Sequence, residues 1–267
     1  MPENPSDVSL RDEDLAAGPT GAARDSSSGR RRVRVRSDWR QGGHAVRRWN
    51  TGLLSIALFG VGLGLVGSTL LGQLSFPGAA VASSAALWIG LGVPVIVALR
   101  RGRPAGLFRV RSIDLLWGLG IGGALRLLQG WLNGANSSPF PTLGSTETSS
   151  TWEWMWSSGI PSVFVSPLIE EFFFRAVILV GVYQLLRRSV GVVAAATTGL
   201  LVSAGGFVLL HGAFSPLPLG GGIQLFAVGA ACALLVLLSG RIWGAVLAHV
   251  VYNLSYLLLA IVGTMLA

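Results

Sequence analysis

Residues 52–72 read GLLSIALFGVGLGLVGSTLLG and contain no charged side chain. An α-helix needs about 20 consecutive apolar residues to cross the hydrocarbon core of a bilayer, and this stretch has that length. Similar stretches recur along the chain, near residues 79–99, 112–132, 160–186, 191–211, 223–239 and 243–264. The pattern predicts an all-α fold, a polytopic membrane bundle of about seven transmembrane helices.

The composition agrees with a membrane protein. Only 12% of the residues are charged and the mean hydropathy is +0.63, whereas a soluble domain carries about 25% charged residues. The sequence pI of about 11.3 is typical of nucleic-acid-binding proteins. Here, however, the basic residues flank apolar spans and do not cover a folded face, so we expect no nucleic-acid partner.

The arginines fall on one side of the predicted spans. Residues 1–48 contain ten of them, and Arg126 and Arg175 lie inside spans. The remaining arginines lie in loops on the same side as the N-terminus, at 100–111, 187–188 and 241, while the loops 73–78, 133–151 and 212–222 contain none. Because basic loops stay in the cytoplasm, we predict a multi-pass protein of the cell membrane with a cytoplasmic N-terminus.

The N-terminal residues 1–48 are rich in Pro, Ser, Gly, Asp and Arg and have almost no apolar clustering. Such a composition predicts a disordered cytoplasmic tail. The basic part of this tail, residues 30–48, is expected to contact anionic lipid. Trp39 and Trp49 suit the interfacial layer of the membrane.

Ionisable side chains inside membrane spans are functional candidates by default, and residues 166–175 (SPLIEEFFFR) contain three. Glu171 and Arg175 have the i, i+4 spacing of a helical ion pair. Glu170 points about 100° away round the helix and is left without that partner, so it suits a general base. The alternative is that both carboxylates share Arg175 for packing.

Two further motifs lie on later spans. In FVLLH, Phe207 and His211 share one helix face, although a lone histidine at a helix end is often structural. In HVVYN, His249 and Asn253 point the same way, and both side chains can donate hydrogen bonds. Two such donors suit a developing oxyanion, or else they form polar bonds between helices.

The two histidines are predicted to lie at different depths. Counted from the basic ends of their spans at 1.5 Å per residue, His211 lies roughly 30 Å deep and His249 about 12 Å. They share a site only if the helices are tilted, start outside the bilayer or are offset.

The combination EExxxR, FxxxH and HxxxN on three separate spans resembles the CPBP family, over about residues 155–260. This family comprises the type II CAAX prenyl endopeptidases and bacterial relatives in bacteriocin processing and self-immunity, also called the Abi family. The resemblance implies that Glu170 is the catalytic base, that His211 helps it activate a water, that His249 and Asn253 form the oxyanion site, and that Glu171 and Arg175 hold the architecture.

The resemblance implies a CAAX-protease-like intramembrane endopeptidase. Its substrate would be a membrane-associated peptide or protein, cut in CAAX-type or leader-peptide-type processing. The expected domains are the tail 1–48, accessory helices with an external loop over 49–150, and the CPBP-like catalytic core over 151–267. The alternatives from other classes are a non-catalytic membrane adaptor and a small-molecule permease.

The resemblance also implies that no cofactor is needed, because the best-understood members of the family look glutamate-dependent without an essential metal. The alternative is zinc, since Glu170, His211 and His249 would supply a His₂Glu ligand set. Other intramembrane protease chemistries do not fit the sequence. It has no HExxH motif, and no Asp follows Asp114, so the later spans cannot form an aspartyl dyad.

Overall fold

A computed structural model of the protein describes residues 38–143 and 154–266. Within these residues there is no β-strand, and seven long helices are present. They are α1 (Thr51–Gly72), α2 (Ala79–Arg101), α3 (Ile113–Leu132), α4 (155–186), α5 (Val192–Gly212), α6 (Leu219–Ser239) and α7 (Trp243–Leu266). The predicted all-α bundle is confirmed, and most predicted spans match a helix to within a few residues.

Five of the described helices, α1, α2, α5, α6 and α7, are long and apolar enough to cross a membrane. The other two carry most of the ionisable groups of the bundle, with Asp114 and Arg126 in α3 and the EExxxR motif in α4. Large apolar side chains such as Phe59, Leu127 and Leu209 are exposed on the outer helix faces. Such faces require a lipid surrounding, so the chain is a multi-pass membrane protein.

Helix α4 is the central element and contacts α1, α2, α5, α6 and α7. It alternates between α-helical and π-helical turns, and its longest π-helical segment is Phe172–Leu179. Pro161 and Pro167 contribute no backbone N–H to the helix before the two glutamates. π-Helical turns are rare and frequently lie at functional sites. Residues 173–181 are all buried, so the open space beside the two glutamates borders the first half of α4, and a separate pocket borders Gln184 and Leu185 near its C-terminal end.

Helix α3 packs closely on α7. A Cβ atom on Gly122 would lie 2.6 Å from the carbonyl oxygen of Ala248, so only glycine allows this approach. Arg126 donates hydrogen bonds across the same interface, to the carbonyl oxygen of Tyr252 at 2.5 Å and to Oγ of Ser255 at 3.1 Å. These contacts fix the part of α7 that carries the HxxxN motif.

The prediction that all of residues 1–48 form a disordered tail is wrong for its last part. Residues 38–49 fold against the bundle, and Trp39 and Trp49 are only 1% and 2% exposed, so their rings contact other parts of the protein. Nε1 of Trp39 donates to the carbonyl oxygen of Gly240 at 3.0 Å, and Nε1 of Trp49 to that of Ala98 at 3.2 Å. Each indole buries a large apolar surface and satisfies its single donor. Residues 1–37 lie outside the described part.

Asp38 and Arg40 form an ion pair in this folded segment, with 2.6 Å between Oδ2 and Nη2. Burial alone would raise the pKa of the Asp38 carboxyl, but its hydrogen bonds and charge interaction with Arg40 outweigh burial and lower that pKa. The contribution of this pair to stability is therefore present at neutral pH and is lost as the pH falls through the lowered pKa.

Candidate active site

Glu170 borders a cavity of about 350 Å³ between α1, α2, α4 and α5. Its side chain is largely buried, and Oε1 accepts a hydrogen bond of 2.5 Å from Oγ of Ser166, one helical turn earlier. The lining contains the two ionisable side chains Glu170 and His211, several apolar residues and seven serines, namely Ser68, Ser83, Ser84, Ser157, Ser158, Ser162 and Ser166. The cavity is therefore a polar pocket within an apolar bundle.

His211 lies in the last turn of α5 and also lines this cavity. Its Nδ1 lies 2.9 Å from the backbone carbonyl oxygen of Phe207, four residues earlier in the helix. Because a carbonyl oxygen only accepts, Nδ1 carries the hydrogen of this bond. Nε2 of a neutral His211 is then left with a lone pair that can accept a hydrogen from water.

Glu171 and Arg175 are both fully buried and form the ion pair expected from their spacing, with 3.1 Å between Oε2 and Nε. Nη2 of Arg175 also donates to the carbonyl oxygen of Gly229 at 3.2 Å, which joins α4 to α6. The guanidinium lies over the ring of Phe207, 4.9 Å from its centroid. Arg175 thus faces α5 and α6 from the centre of the bundle.

His249 lies between the two glutamates. Its Nδ1 is 3.0 Å from Oε1 of Glu171, and its Nε2 is 3.9 Å from Oε2 of Glu170. Sequence reasoning missed this contact because Glu171 was assigned to Arg175 alone. The second carboxylate oxygen of Glu171 is thus used to orient His249.

The ring of Phe207 contacts both imidazoles, with centroid distances of 4.4 Å to His211 and 5.5 Å to His249. The two histidines therefore reach one site despite their different positions along α5 and α7. If α5 and α7 started at the same depth, the two imidazole rings would lie several helical turns apart. The two helices are therefore tilted or offset, as the sequence required for a shared site.

Asn253 is bonded to α4. Its Nδ2 donates to the backbone carbonyl oxygen of Ser162 at 2.9 Å, and the amide retains a second N–H. Neither Asn253 nor His249 belongs to the lining of the cavity. The structure thus brings Glu170 and His211 together in the cavity, places His249 behind Glu170, and places Asn253 beside a residue of the cavity wall.

The serines of the cavity were not predicted from the sequence. Ser166 could have been found, because it lies four residues before Glu170 and therefore on the same helix face. Ser68 and Ser83 belong to different helices, with 2.8 Å between their hydroxyl oxygens. No local pattern signals this pair. These two serines show that the accessory helices α1 and α2 form part of the site wall.

The alternative zinc set was Glu170, His211 and His249. Among the described residues, no three His, Cys, Asp or Glu side chains are placed so that they could hold a metal ion. The three residues therefore do not form a ligand cluster in this arrangement, and no catalytic step is derived through a metal.

Comparison with known families gives one match: residues 152–255 fit the family model described as type II CAAX prenyl endopeptidase, Rce1-like. No curated protein and no solved structure matches the chain. The matched segment contains the EExxxR, FxxxH and HxxxN motifs in full, and the family resemblance read from those motifs is confirmed. The similarity to type II CAAX prenyl endopeptidases therefore lies in residues 152–255, which contain the candidate active site.

Proposed function

We propose that the protein is an intramembrane endopeptidase in which Glu170 activates a water for peptide-bond hydrolysis. The observation that carries this proposal is the placement of Glu170 in a polar cavity together with His211. Glu171, one residue later, is fully buried and bound to Arg175 and His249. Glu170 is therefore placed to take a proton from a water, as a general base does. Glu171 is instead placed to hold two neighbouring side chains.

In the proposed reaction, a water in the cavity gives a proton to Glu170 and its oxygen attacks the scissile carbonyl carbon. The π electrons of that carbonyl move to its oxygen, which becomes an oxyanion. Collapse of this intermediate breaks the C–N bond, and the leaving amine takes the proton back from Glu170. Nε2 of His211 accepts the second hydrogen of the water and orients it, while Ser166 holds the Oε1 atom of Glu170.

His249 is suited to stabilise the oxyanion in its protonated form. An ionised Glu171 only accepts hydrogen bonds, so Nδ1 of His249 must carry a hydrogen, and Nε2 can donate only when the ring is an imidazolium. Arg175 balances one carboxylate charge of the site, and a protonated His249 balances the other. The second N–H of Asn253 would provide a further donor, and each such donor contributes about 2.7–4 kcal/mol to catalysis.

The proposed substrate is a membrane-associated peptide or protein segment, cut in CAAX-type or leader-type processing. The proposed location is the cell membrane with the N-terminus in the cytoplasm, where the arginines of residues 30–48 other than Arg40 would meet anionic lipid. The positive-inside distribution of arginine supports this orientation.

A comparison of peptide termini in cells tests the function. Cells that make the wild type should contain a set of new peptide ends that is missing in cells with Glu170→Gln. Cells with the control variant Ser189→Ala, at an exposed loop position away from the cavity, should contain the same set of peptide ends as wild-type cells. Identical termini in all three strains, with any wild-type phenotype kept by Glu170→Gln, would point to a non-catalytic adaptor.

Metal content and the His249 variant test the mechanism. Purified protein should contain well under one zinc per chain and keep its activity in excess chelator. His249→Gln and Asn253→Ala should each slow hydrolysis by roughly 10²–10³-fold, the usual cost of one lost oxyanion donor. Stoichiometric zinc that is lost together with all activity in His249→Gln, but retained in Asn253→Ala, would contradict the metal-free mechanism.

A further inference from the structure

The cavity of Glu170 lies toward one end of the bundle. It is lined by residues close to the C-terminal ends of α1 and α5, such as Ser68 and His211, and close to the N-terminal ends of α2 and α4, such as Ser83 and Ser158. The loops that join these helix ends, residues 73–78 and 213–218, contain no arginine or lysine, and neither do residues 133–153 that precede α4. We call this the arginine-free end.

The opposite end carries the arginines of the loops and is closed by the folded segment 38–49. Nη1 of Arg40 donates to the carbonyl oxygens of Leu237 and Leu238 at 2.8 and 2.6 Å, at the end of α6. The hydroxyl of Tyr183, on α4, donates to the carbonyl oxygen of Arg40 at 3.0 Å. The segment thereby connects α4 to α6 beneath the fully buried Trp39.

An ion pair closes the same end on its other side. Arg241, in the turn between α6 and α7, contacts Oδ1 of Asp114 with Nη2 at 2.7 Å, and Nε lies within 3.1 Å of both carboxylate oxygens. Between this end and Glu170 lie the consecutive buried residues 173–181 of α4. Access to Glu170 is therefore from the arginine-free end.

We infer that this cavity takes its substrate from the outer side of the membrane. The inference rests on the proposed function, and on the rule that arginine-rich loops remain in the cytoplasm. The substrate class is then a hydrophilic peptide segment exposed outside the cytoplasm. A prenylated carboxyl-terminal end in the cytoplasm would approach the closed end of the bundle.

The chemistry of the cavity wall agrees with this substrate. The hydroxyls of four wall serines, Ser68, Ser83, Ser162 and Ser166, donate hydrogen bonds within the protein. A serine oxygen can accept a hydrogen bond while its hydrogen is donated elsewhere, so these oxygens can still accept from the N–H groups of an extended peptide. An isoprenoid chain has no such N–H groups to offer. Glu170 is the one acidic side chain among the described residues of the lining, and its charge disfavours a free carboxylate close to the scissile bond.

Cysteine labelling tests the orientation of the cavity without any need for catalysis. In a Cys232→Ala background, which removes the single native and buried cysteine, Ser158→Cys should react with a membrane-impermeant maleimide in intact cells. Ser189→Cys, at an exposed position of the arginine-rich end, is the matched control and should react only after permeabilisation. Protection of Ser158→Cys in intact cells, or labelling of Ser189→Cys, would overturn the inference.

A second arm tests the substrate class. A synthetic, unprenylated peptide that spans a Glu170-dependent cleavage site should be cut when it is added outside intact cells that make the wild type. Prior maleimide labelling of Ser158→Cys should lower this cleavage, and treatment of the Ser189→Cys cells should not. Cleavage that requires permeabilised cells or a prenylated peptide would overturn the inference. Outward labelling of Ser158→Cys without any Glu170-dependent cleavage would instead contradict the proposed function and leave the orientation established.

Discussion

Glu170→Gln should lower peptide hydrolysis by about 10²–10⁴-fold, the usual contribution of a general base, while the yield of folded protein stays near that of the wild type. Glutamine has the same shape, and its carbonyl oxygen can still accept the hydrogen bond from Ser166. Among the described residues, the contacts of Glu170 are with Ser166 and His249 and not with an arginine, so no buried guanidinium there loses its partner. The measurement is cleavage of a peptide by purified protein, with yield and thermal stability recorded in the same detergent.

Ser166→Ala is the matched control for this experiment, because it removes the hydrogen bond to Oε1 of Glu170 and keeps the carboxylate. It should lower hydrolysis much less than Glu170→Gln does. If Glu170→Gln lost folded protein to the same degree as it lost activity, Glu170 would be a structural residue and the assignment of the base would be wrong.

Glu171→Gln should destabilise the folded protein by about 3–5 kcal/mol, the cost of breaking one partner of a buried ion pair. Arg175 is fully buried and would keep its charge without a carboxylate beside it. His249 would also lose the negative charge of the carboxylate beside its Nδ1. The expected readout is a large fall in folded yield and in thermal stability, and Glu170→Gln, the same chemical change one residue earlier, serves as the control.

A double variant separates the charge from the packing. Glu171→Gln combined with Arg175→Met removes both charges and keeps side chains of similar size, so part of the lost stability should return. Activity should not return with it, since His249 would still lack its carboxylate partner. A Glu171→Gln protein as stable as the wild type would contradict the structural role of the pair.

The membrane spans could be predicted from the sequence because the bilayer demands long apolar helices that satisfy their own backbone hydrogen bonds. The Glu171–Arg175 ion pair could also be predicted, since it depends only on local helix geometry. Contacts between helices could not. His249 and Asn253 do point the same way, toward α4, but their partners Glu171 and Ser162 are fixed by packing and leave no trace in either motif.

The folded segment 38–49 is a second case in which contacts between distant parts of the chain could not be predicted from the sequence. Trp39 lies in a stretch whose composition is typical of disorder, and its hydrogen-bond partner Gly240 is 201 positions away. Amino-acid composition describes residues that are adjacent in the chain, whereas the burial of a side chain depends on residues that are adjacent in the folded protein. The arginines of this stretch were interpreted as ligands of lipid. Arg40 instead binds carbonyl oxygens at the end of α6.

The long separation of Trp39 from Gly240 also imposes an order on biosynthesis. Trp39 leaves the ribosome 201 residues before its partner Gly240. At 5–20 residues per second this delay is roughly 10–40 s. During that interval the indole N–H lacks this acceptor, although the ring can already pack against Tyr183, which is made earlier. The hydrogen bond that joins the folded segment 38–49 to the turn after α6 therefore forms late in synthesis.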